Sequence, residues 1–271
     1  MKKNRLADVM NTAAPALNGW VTLGSTAIVE TMAHQPWDSI TIDMQHGLAD
    51  FATVVEMLRA ISTTSVTPVV RVPWLEPGII QRVLDAGAYG VICPMINSAE
   101  ECRQFVELCR YAPQGSRSFG PTRAPLYAGT ADYYKHANQT VLTLVMIETT
   151  RALQNIDEIV AVPELNGVYI GPADLTLSLG FDPVADQRHP EVLAAIDRIH
   201  AAATRAGKFT FMHCSSAEHA NFMRSRQFSA LTVSSDSRMI VAAQQALFRE
   251  LKEFAQRDPA ATGADGNAAA Y

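Results

Sequence analysis

Four titratable side chains in this 271-residue sequence closely follow short apolar runs. His46 comes shortly after SITID, Arg71 ends VTPVVR, Glu148 follows VLTLVMI, and Asp174 follows GVYIGPA. If these runs are parallel strands with helices between them, their carboxyl ends meet at one face. Two carboxylates with room for water and bidentate substrate oxygens suit an octahedral Mg²⁺ or Mn²⁺ ion. The sequence therefore predicts a divalent-metal site at Glu148 and Asp174, with Co²⁺ or Zn²⁺ as less favoured ions.

The stretch GVYIGPADLTLSLG, residues 167–180, predicts a buried strand that turns into a helix. Gly171 makes the turn, and Pro172 takes the first helical position, which tolerates its missing N–H. The backbone N–H groups of Ala173 and Asp174 are then unpaired and can hold a small anion such as a carboxylate. The alternative is that Asp174 is only a first-turn acid favoured by the helix dipole.

Together these groups predict the binding of a 2-oxo acid. Arg71, a cation and the free N–H groups hold its oxygens and stabilise the enolate that forms when a proton leaves C3. His46 is the nearest group that exchanges protons near neutral pH. No lysine ends a predicted strand, so Schiff-base chemistry is not expected. Each group also has a structural alternative: His46 caps the next turn, Arg71 only pairs with Asp43, and His213 is a satisfied core residue.

The elements that must position these groups alternate between strands and helices. Strands are predicted at residues 19–24, 39–43, 66–71, 89–93, 141–147, 167–170, 208–212 and 228–233. Helices are predicted at residues 25–34, 54–61, 76–86, 98–110, 153–162, 191–206, 217–226 and 236–255. Eight strands, each followed by a helix, predict an α/β protein with a single (β/α)8 TIM barrel over residues 1–257. An open doubly wound sheet is the alternative, because periodicity does not show closure.

Composition narrows the class of protein. A net charge of -5 without blocks of like charge gives no reason to expect a nucleic acid or membrane partner. The basic start, MKKNR, lacks the continuous apolar core of a signal peptide. The four cysteines, without CxxC spacing, indicate reduced and mostly buried thiols in a cytoplasmic protein. Residues 111–139 are predicted to form a long functional loop, and residues 258–271 a disordered tail.

Five stretches resemble the HpcH/HpaI family of class II, metal-dependent pyruvate aldolases; they are IDMQHG, PVVRVPW, LDAGAYGVICPMI, MIET and GVYIGPADLTLSLG. They occur in the same order and spacing over about residues 15 to 255. The resemblance implies a barrel of the phosphoenolpyruvate/pyruvate-binding type and a hexamer built as a trimer of dimers. In such a hexamer the last helix is exchanged between neighbours. It also implies pyruvate and an aldehyde as small-molecule partners, and a role in aromatic compound catabolism.

The resemblance also implies residue roles. Glu148 and Asp174 hold the metal, the N–H groups of Ala173 and Asp174 take the pyruvate carboxylate, and Arg71 binds the substrate oxygens. His46 and Asp85 form a proton-handling dyad, a role for Asp85 that strand ends alone do not predict.

The resemblance implies roles for residues farther from the substrate as well. Asp43 contacts the residues that bind the substrate rather than the substrate itself. The long loop, with Arg117 and Arg123, shapes the pocket for the aldehyde of its own or a neighbouring subunit.

Two positions depart from the family pattern. Gln45 stands where the family usually has Glu, which changes the electrostatics around His46. Met146 stands where the family usually has Gln, which removes an amide near the metal and substrate. The metal ligands, Arg71 and His46 are retained. We therefore expect metal-dependent chemistry with a changed substrate preference or rate.

Three functions are compatible with these residues. The leading one is reversible aldol cleavage of a 4-hydroxy-2-oxo acid to pyruvate and an aldehyde. The second is a related carbon–carbon lyase or decarboxylase, such as a citramalyl- or malyl-CoA lyase, which needs a larger cleft for CoA. The third is a barrel that binds oxo acids without turnover. Aldehyde release separates the first from the second, and binding without turnover marks the third.

Overall fold

The eight strands form a closed barrel in chain order, β1 to β8, and all neighbouring pairs are parallel. This computed structural model describes residues 3–12, 14–127, 129–184 and 186–251. Closure of the sheet confirms the predicted TIM barrel and excludes the open doubly wound sheet. The predicted tail at residues 258–271 lies outside the described residues.

The strands are short and almost entirely buried. They are β1 Ala16–Val21, β2 Ser39–Asp43, β3 Thr67–Arg71, β4 Gly90–Cys93, β5 Leu142–Ile147, β6 Gly167–Ile170, β7 Phe209–Cys214 and β8 Ala230–Val233.

Helices surround the barrel, and all of them but the first lie in an outer layer. They are α1 Arg5–Met10, α2 Thr26–Ala33, α3 Phe51–Ser62, α4 Pro77–Asp85, α5 Ala99–Cys109, α6 Thr130–Thr140, α7 Thr150–Gln154, α8 Ile156–Val160, α9 Pro172–Ser178, α10 Pro190–Arg205, α11 Ala217–Arg224 and α12 Asp236–Glu250. A 3-10 helix spans Ala124–Tyr127. Among the described helices, none is long and apolar enough to cross a membrane.

Apolar side chains pack in two places, because each strand presents alternate residues to the two faces of the barrel wall. The larger core lies between strands and helices, and the smaller core fills the barrel interior. Helix α1, which the sequence patterns did not predict, contributes the fully buried Leu6 to the interior core. The Leu6 N–H donates to the Thr67 hydroxyl at 3.1 Å, at the start of β3. Helix α1 therefore closes the end of the barrel where the strands begin.

The first strand differs from its predicted bounds. It starts at Ala16, which pairs with Ala230 of β8, and ends at Val21. The N–H groups of Thr22 and Leu23 instead donate to the buried Asp236 carboxylate, at 2.8 and 3.0 Å. These hydrogen bonds take the two residues out of the ladder and tie the end of β1 to the start of α12.

The segment at residues 111–139 is only partly a loop. It contains the 3-10 helix and the first ten residues of α6, and α6 buries Tyr133 and Ala137. Its other side chains are mostly polar, so no apolar stripe marked it as a helix. All four thiols are free and buried, as the sequence predicts. Burial raises the pKa of Cys102, Cys109 and Cys214 to about 12.

Candidate active site

Most of the predicted site residues lie where the strands end. Asp43 ends β2, Arg71 ends β3, Glu148 directly follows β5, and Asp174 lies in the first turn of α9 after β6. In (β/α)8 barrels this end is formed by the βα loops and carries the active site. The structure therefore brings together four of the predicted groups by the closure of the barrel.

Asp43 and Arg71 form a buried ion pair. Arg71 Nε donates to Asp43 Oδ1 at 2.8 Å, and Nη2 donates to Oδ2 at 2.5 Å. The Trp20 indole N–H also donates to Oδ2, at 3.3 Å, and the Gln45 N–H donates to Oδ1 at 3.0 Å. Burial alone would raise the pKa of Asp43, but the hydrogen bonds and charge of Arg71 outweigh it and hold this pKa below its usual range. Asp43 thus fixes the plane of the guanidinium group.

The rest of the Arg71 guanidinium contacts two less polar side chains. Its central carbon lies 4.9 Å from the centre of the Trp20 ring, within cation–π range. Its Nη1 lies 3.8 Å from the sulfur of Met146, which is buried in β5. One edge of the guanidinium therefore pairs with a carboxylate, and its remaining surface lies against an aromatic ring and a thioether.

Glu148 has very different surroundings. The side chain is buried, and Oε1 accepts a hydrogen bond from the Met95 N–H at 2.7 Å. Burial, with a smaller contribution from the charge of Asp174, outweighs the Met95 N–H and the charge of Arg71 and raises the pKa of Glu148 to about 7. Met95 has a positive φ of 56°, an uncommon conformation that costs energy outside glycine. Met95 thus adopts this uncommon conformation at the residue whose N–H donates to Glu148.

Helix α9 begins as the sequence predicted. Pro172 occupies its first turn, and Gly171 precedes it without a side chain that caps the helix. The N–H groups of Ala173 and Asp174 lie in that first turn, and both residues are exposed. A Cβ atom at Gly171 would lie 2.5 Å from Glu148 Oε2, so a larger residue would collide with the carboxylate. Glycine at this position therefore lets the turn approach Glu148.

His46 is exposed in the loop after β2, and its backbone N–H donates to Asp43 Oδ1 at 3.4 Å. The neighbouring Gln45 side chain has a buried Oε1 atom without a hydrogen-bond partner in the described part of the chain. The Asp43 carboxylate thus organises the backbone on which both residues stand.

Asp85 is not brought to His46 within this chain. It ends α4 on the outer helical layer, where its carboxylate pairs with Arg117 Nη2 at 2.7 Å. Arg117 is buried and stacks on Tyr111, with its guanidinium carbon 4.4 Å from the ring centre. Arg123 donates to the Ala86 carbonyl at 2.5 Å. Both loop arginines therefore bind at the carboxyl end of α4, Arg117 to its last residue and Arg123 to the residue that follows.

The match to known families agrees with this geometry. A sequence model described as HpcH/HpaI aldolase/citrate lyase matches residues 18–242, most of the chain. The chain belongs to this family. The predicted resemblance is therefore confirmed.

Relatives in the family are similar over nearly the whole chain. A hydroxypyruvate/pyruvate aldolase of Rhizorhabdus wittichii is 39% identical over 249 residues, which are 92% of this chain and 99% of the relative. A 4-hydroxy-2-oxo-heptane-1,7-dioate aldolase of Salmonella dublin is 36% identical over 76% of this chain and 78% of its own. A crystal structure of a family protein from Burkholderia cenocepacia superposes with a TM-score of 0.85 at 31% identity, covering 91% of this chain and 98% of that chain.

The residues of this HpcH/HpaI protein fit a divalent cation. Within the described ranges, no three His, Cys, Asp or Glu side chains converge to form a ligand group. A cation here would therefore be held by Glu148 and Asp174, with oxygens of water or substrate as its other ligands. The raised pKa of the buried Glu148 is typical of a carboxylate that lacks a positive partner. The donor set and this electrostatic surrounding both suit a hard divalent cation.

The sequence did not indicate two residues that contribute to the site, Trp20 and Met95, and it left the role of His213 undecided. Trp20 contacts both Asp43 and Arg71, and only its position in the first strand could have indicated this. Met95 has no sequence signal, because its role depends on its backbone conformation. His213 is partly buried: its Nδ1 lies 2.8 Å from the Tyr169 hydroxyl, its ring meets Trp20 edge-on, and burial and the charge of Arg71 lower its pKa to about 4.

Proposed function

We propose that this protein is a divalent-metal-dependent aldolase that reversibly cleaves 4-hydroxy-2-oxo acids to pyruvate and an aldehyde. The observation that carries the proposal is the position of the buried Glu148 carboxylate, which faces Gly171 at the turn into α9, the helix that carries Asp174. Met146 borders the same turn and also contacts Arg71, so a cationic group, two carboxylates and an open helix turn share one small region. The names of the Rhizorhabdus and Salmonella relatives support the same activity.

The proposed donor site uses groups of this chain alone. The donor carboxylate binds the first-turn N–H groups of Ala173 and Asp174. The Arg71 guanidinium, held in plane by Asp43, binds the oxo oxygen. When bound at Glu148 and Asp174, a divalent cation supplies positive charge that stabilises the negative charge of the enolate.

Cleavage requires a proton transfer at each end of the broken bond. A base removes the proton of the 4-hydroxyl group, the C3–C4 bond breaks, and the aldehyde leaves. The electron pair of that bond forms the pyruvate enolate, which then takes a proton at C3. His46, exposed beside Asp43, is the group we assign to these transfers. Asp85 can assist only if another copy brings it to His46, because it lies on the outer layer of its own chain.

The proposal includes assembly of several copies, with a hexamer as the expected state. Helix α12 buries only Asp236 within the chain, and it exposes the apolar side chains Ile240, Val241, Leu247 and Phe248. A monomer would leave this apolar face in water. We propose that a neighbouring copy covers it. Light scattering coupled to size-exclusion chromatography tests this, and a Leu247→Glu, Phe248→Glu double variant should run as a smaller species.

The activity test measures pyruvate release from a panel of 4-hydroxy-2-oxo acids through a coupled dehydrogenase. We expect release that EDTA abolishes and that added Mg²⁺ or Mn²⁺ restores. The substrate cleaved fastest would identify the class of aldehyde. No release from any substrate, in protein that binds Mn²⁺ in a calorimetric titration, would overturn the aldolase proposal in favour of a related lyase or a binding protein.

A further inference from the structure

Met146 lies directly beneath the proposed donor site. It belongs to β5, where it pairs with Tyr169 of β6, and it precedes Glu148 by two residues, on the same face of the strand. Its terminal methyl lies 3.0 Å from the position that a Cβ at Gly171 would take. Met146 therefore fills the space between Arg71, Glu148 and the turn that starts α9.

The thioether leaves part of Arg71 free to bind an oxygen of the substrate. Arg71 commits Nε and Nη2 to Asp43, but its Nη1 has the Met146 sulfur at 3.8 Å. A thioether sulfur is only a weak hydrogen-bond acceptor. A substrate oxygen can therefore take the Nη1 hydrogens without displacing a strong partner.

The same thioether gives a polar substituent at most a weak hydrogen-bond acceptor. In the proposed arrangement, the donor carboxylate binds the N–H groups of α9 and the oxo oxygen binds Arg71. C3 is the remaining part of the donor. Met146 is buried among apolar side chains of the barrel interior, including Trp20 and Tyr169. A hydroxyl group on C3 that lies against this surface loses water and gains no hydrogen bond, whereas a hydrogen or alkyl group loses nothing.

We propose that Met146 makes the enzyme select 2-oxo acid donors whose C3 carries only hydrogen or alkyl groups, and disfavour donors with a C3 hydroxyl. Pyruvate and 2-oxobutanoate belong to the first class, and hydroxypyruvate belongs to the second. This inference rests on the proposed function, because it concerns the enolate-forming half of the same reaction. It assigns to one side chain a choice between donors, separate from the choice of aldehyde.

The test measures exchange of C3 hydrogen for deuterium in D₂O by proton NMR, with Mg²⁺ present and no aldehyde. The values of kcat and KM are determined for pyruvate, 2-oxobutanoate and hydroxypyruvate, with the uncatalysed exchange subtracted. For the unaltered protein we expect kcat/KM for pyruvate to exceed that for hydroxypyruvate by about tenfold, the scale of a single unmatched group in a pocket. Equal or faster exchange of hydroxypyruvate would overturn the inference without any variant.

Two variants separate polarity from shape. Met146→Gln supplies an amide at similar volume, and we expect it to shift the ratio of the two kcat/KM values towards hydroxypyruvate by about tenfold. Met146→Leu keeps the site apolar and should leave this ratio within about threefold. An unchanged ratio in Met146→Gln, or an equal shift in Met146→Leu, would overturn the inference. Absence of exchange with every donor in the unaltered protein would instead contradict the proposed function.

Discussion

Two buried carboxylates at the same end of the barrel have opposite surroundings. On the β2–β3 side, Asp43 accepts hydrogen bonds from Arg71, Trp20 and the backbone, and its pKa is lowered. On the β5–β6 side, Glu148 accepts one from the Met95 N–H, and its pKa is raised to about 7. Burial is nearly equal, at 1% and 2% exposure. The protein therefore balances the charge of Asp43 with an ion pair, whereas Glu148 has no ion pair with a cationic side chain among the residues that the structure describes.

This difference separates support from ligand binding. A buried carboxylate that the protein pairs fully is fixed in place and holds its partners in place. A buried carboxylate without a cation carries a desolvation cost that an incoming cation can remove. Asp43 therefore fixes the position of Arg71, whereas Glu148 remains able to bind a cation from solution.

Glu148→Gln should have the largest effect on activity. The amide keeps the volume but loses the charge that attracts the cation, so we expect pyruvate release to fall by about 10³-fold. Calorimetric titration should show weakened Mn²⁺ binding. Glu107→Gln, on the exposed face of α5, is the matched control and should change neither quantity. Full activity in Glu148→Gln would show that the charge of Glu148 is not needed to bind the cation, and would contradict the contrast drawn between Glu148 and Asp43.

Asp43→Asn should have the largest effect on stability. It leaves the buried Arg71 without an anionic partner, which costs about 3 kcal/mol of unfolding free energy. Urea unfolding should give the same loss in EDTA and in excess Mn²⁺, because the damage lies in the protein's own ion pair. A loss that appeared only when Mn²⁺ was present would place Asp43 on the metal side of the site.

The stability of the metal-free protein should depend on Glu148 between about pH 4.5 and pH 7. Its pKa is raised from 4.5 to about 7 in the folded state, so the folded protein binds this proton more tightly than the unfolded chain. The contribution is therefore full at low pH and is lost as pH rises, by about 3 kcal/mol in all. In EDTA, Glu148→Gln should gain stability over the unaltered protein across this range. Parallel stability curves would show that Glu148 already has a cationic partner.

A third carboxylate, Asp186, should behave like Asp43 on a smaller scale. It accepts a hydrogen bond from the Ser215 N–H at 2.7 Å, and His219 Nδ1 lies 3.1 Å away. Burial would raise its pKa, but the Ser215 N–H and the neighbouring His219 and Ser216 side chains lower it to about 2. Asp186→Asn should therefore cost about 1 kcal/mol near neutral pH.

That cost should shrink as pH falls below about 4, where the unfolded carboxyl gains its proton, and vanish near pH 2. Thermal unfolding of both proteins from pH 3 to pH 7 measures the difference. A difference that grew in acid would mean that Asp186 stabilises the fold as the protonated acid.

Much of the barrel could be predicted, because buried strands and capped helices depend on nearby residues. The bounds of β2 and β6 agree with the predicted ranges, and Ser25 caps α2 by accepting the Ile28 N–H. The common location of Asp43, Arg71, Glu148 and Asp174 could be predicted because strand ends in a barrel converge. Their gathering needed only the order of the elements.

The remaining features depend on contacts between distant parts of the chain. The end of β1 is set by Asp236, more than 210 residues away. Helix α1 is stabilised by the barrel interior rather than by a strong pattern of its own. The contrast between Asp43 and Glu148 could not be predicted either, because both are carboxylates after apolar strands. Only the three-dimensional structure shows which one the protein neutralises.

Gly171 limits how this site can change in evolution or in the laboratory. Any side chain there would meet both the Glu148 carboxylate and the Met146 methyl group, at 2.5 and 3.0 Å. No single substitution at this position preserves the approach of the turn to the carboxylate, so variants at this position must be accompanied by others. Libraries that aim at new donors should therefore leave residue 171 fixed and place their diversity one strand away, at residue 146.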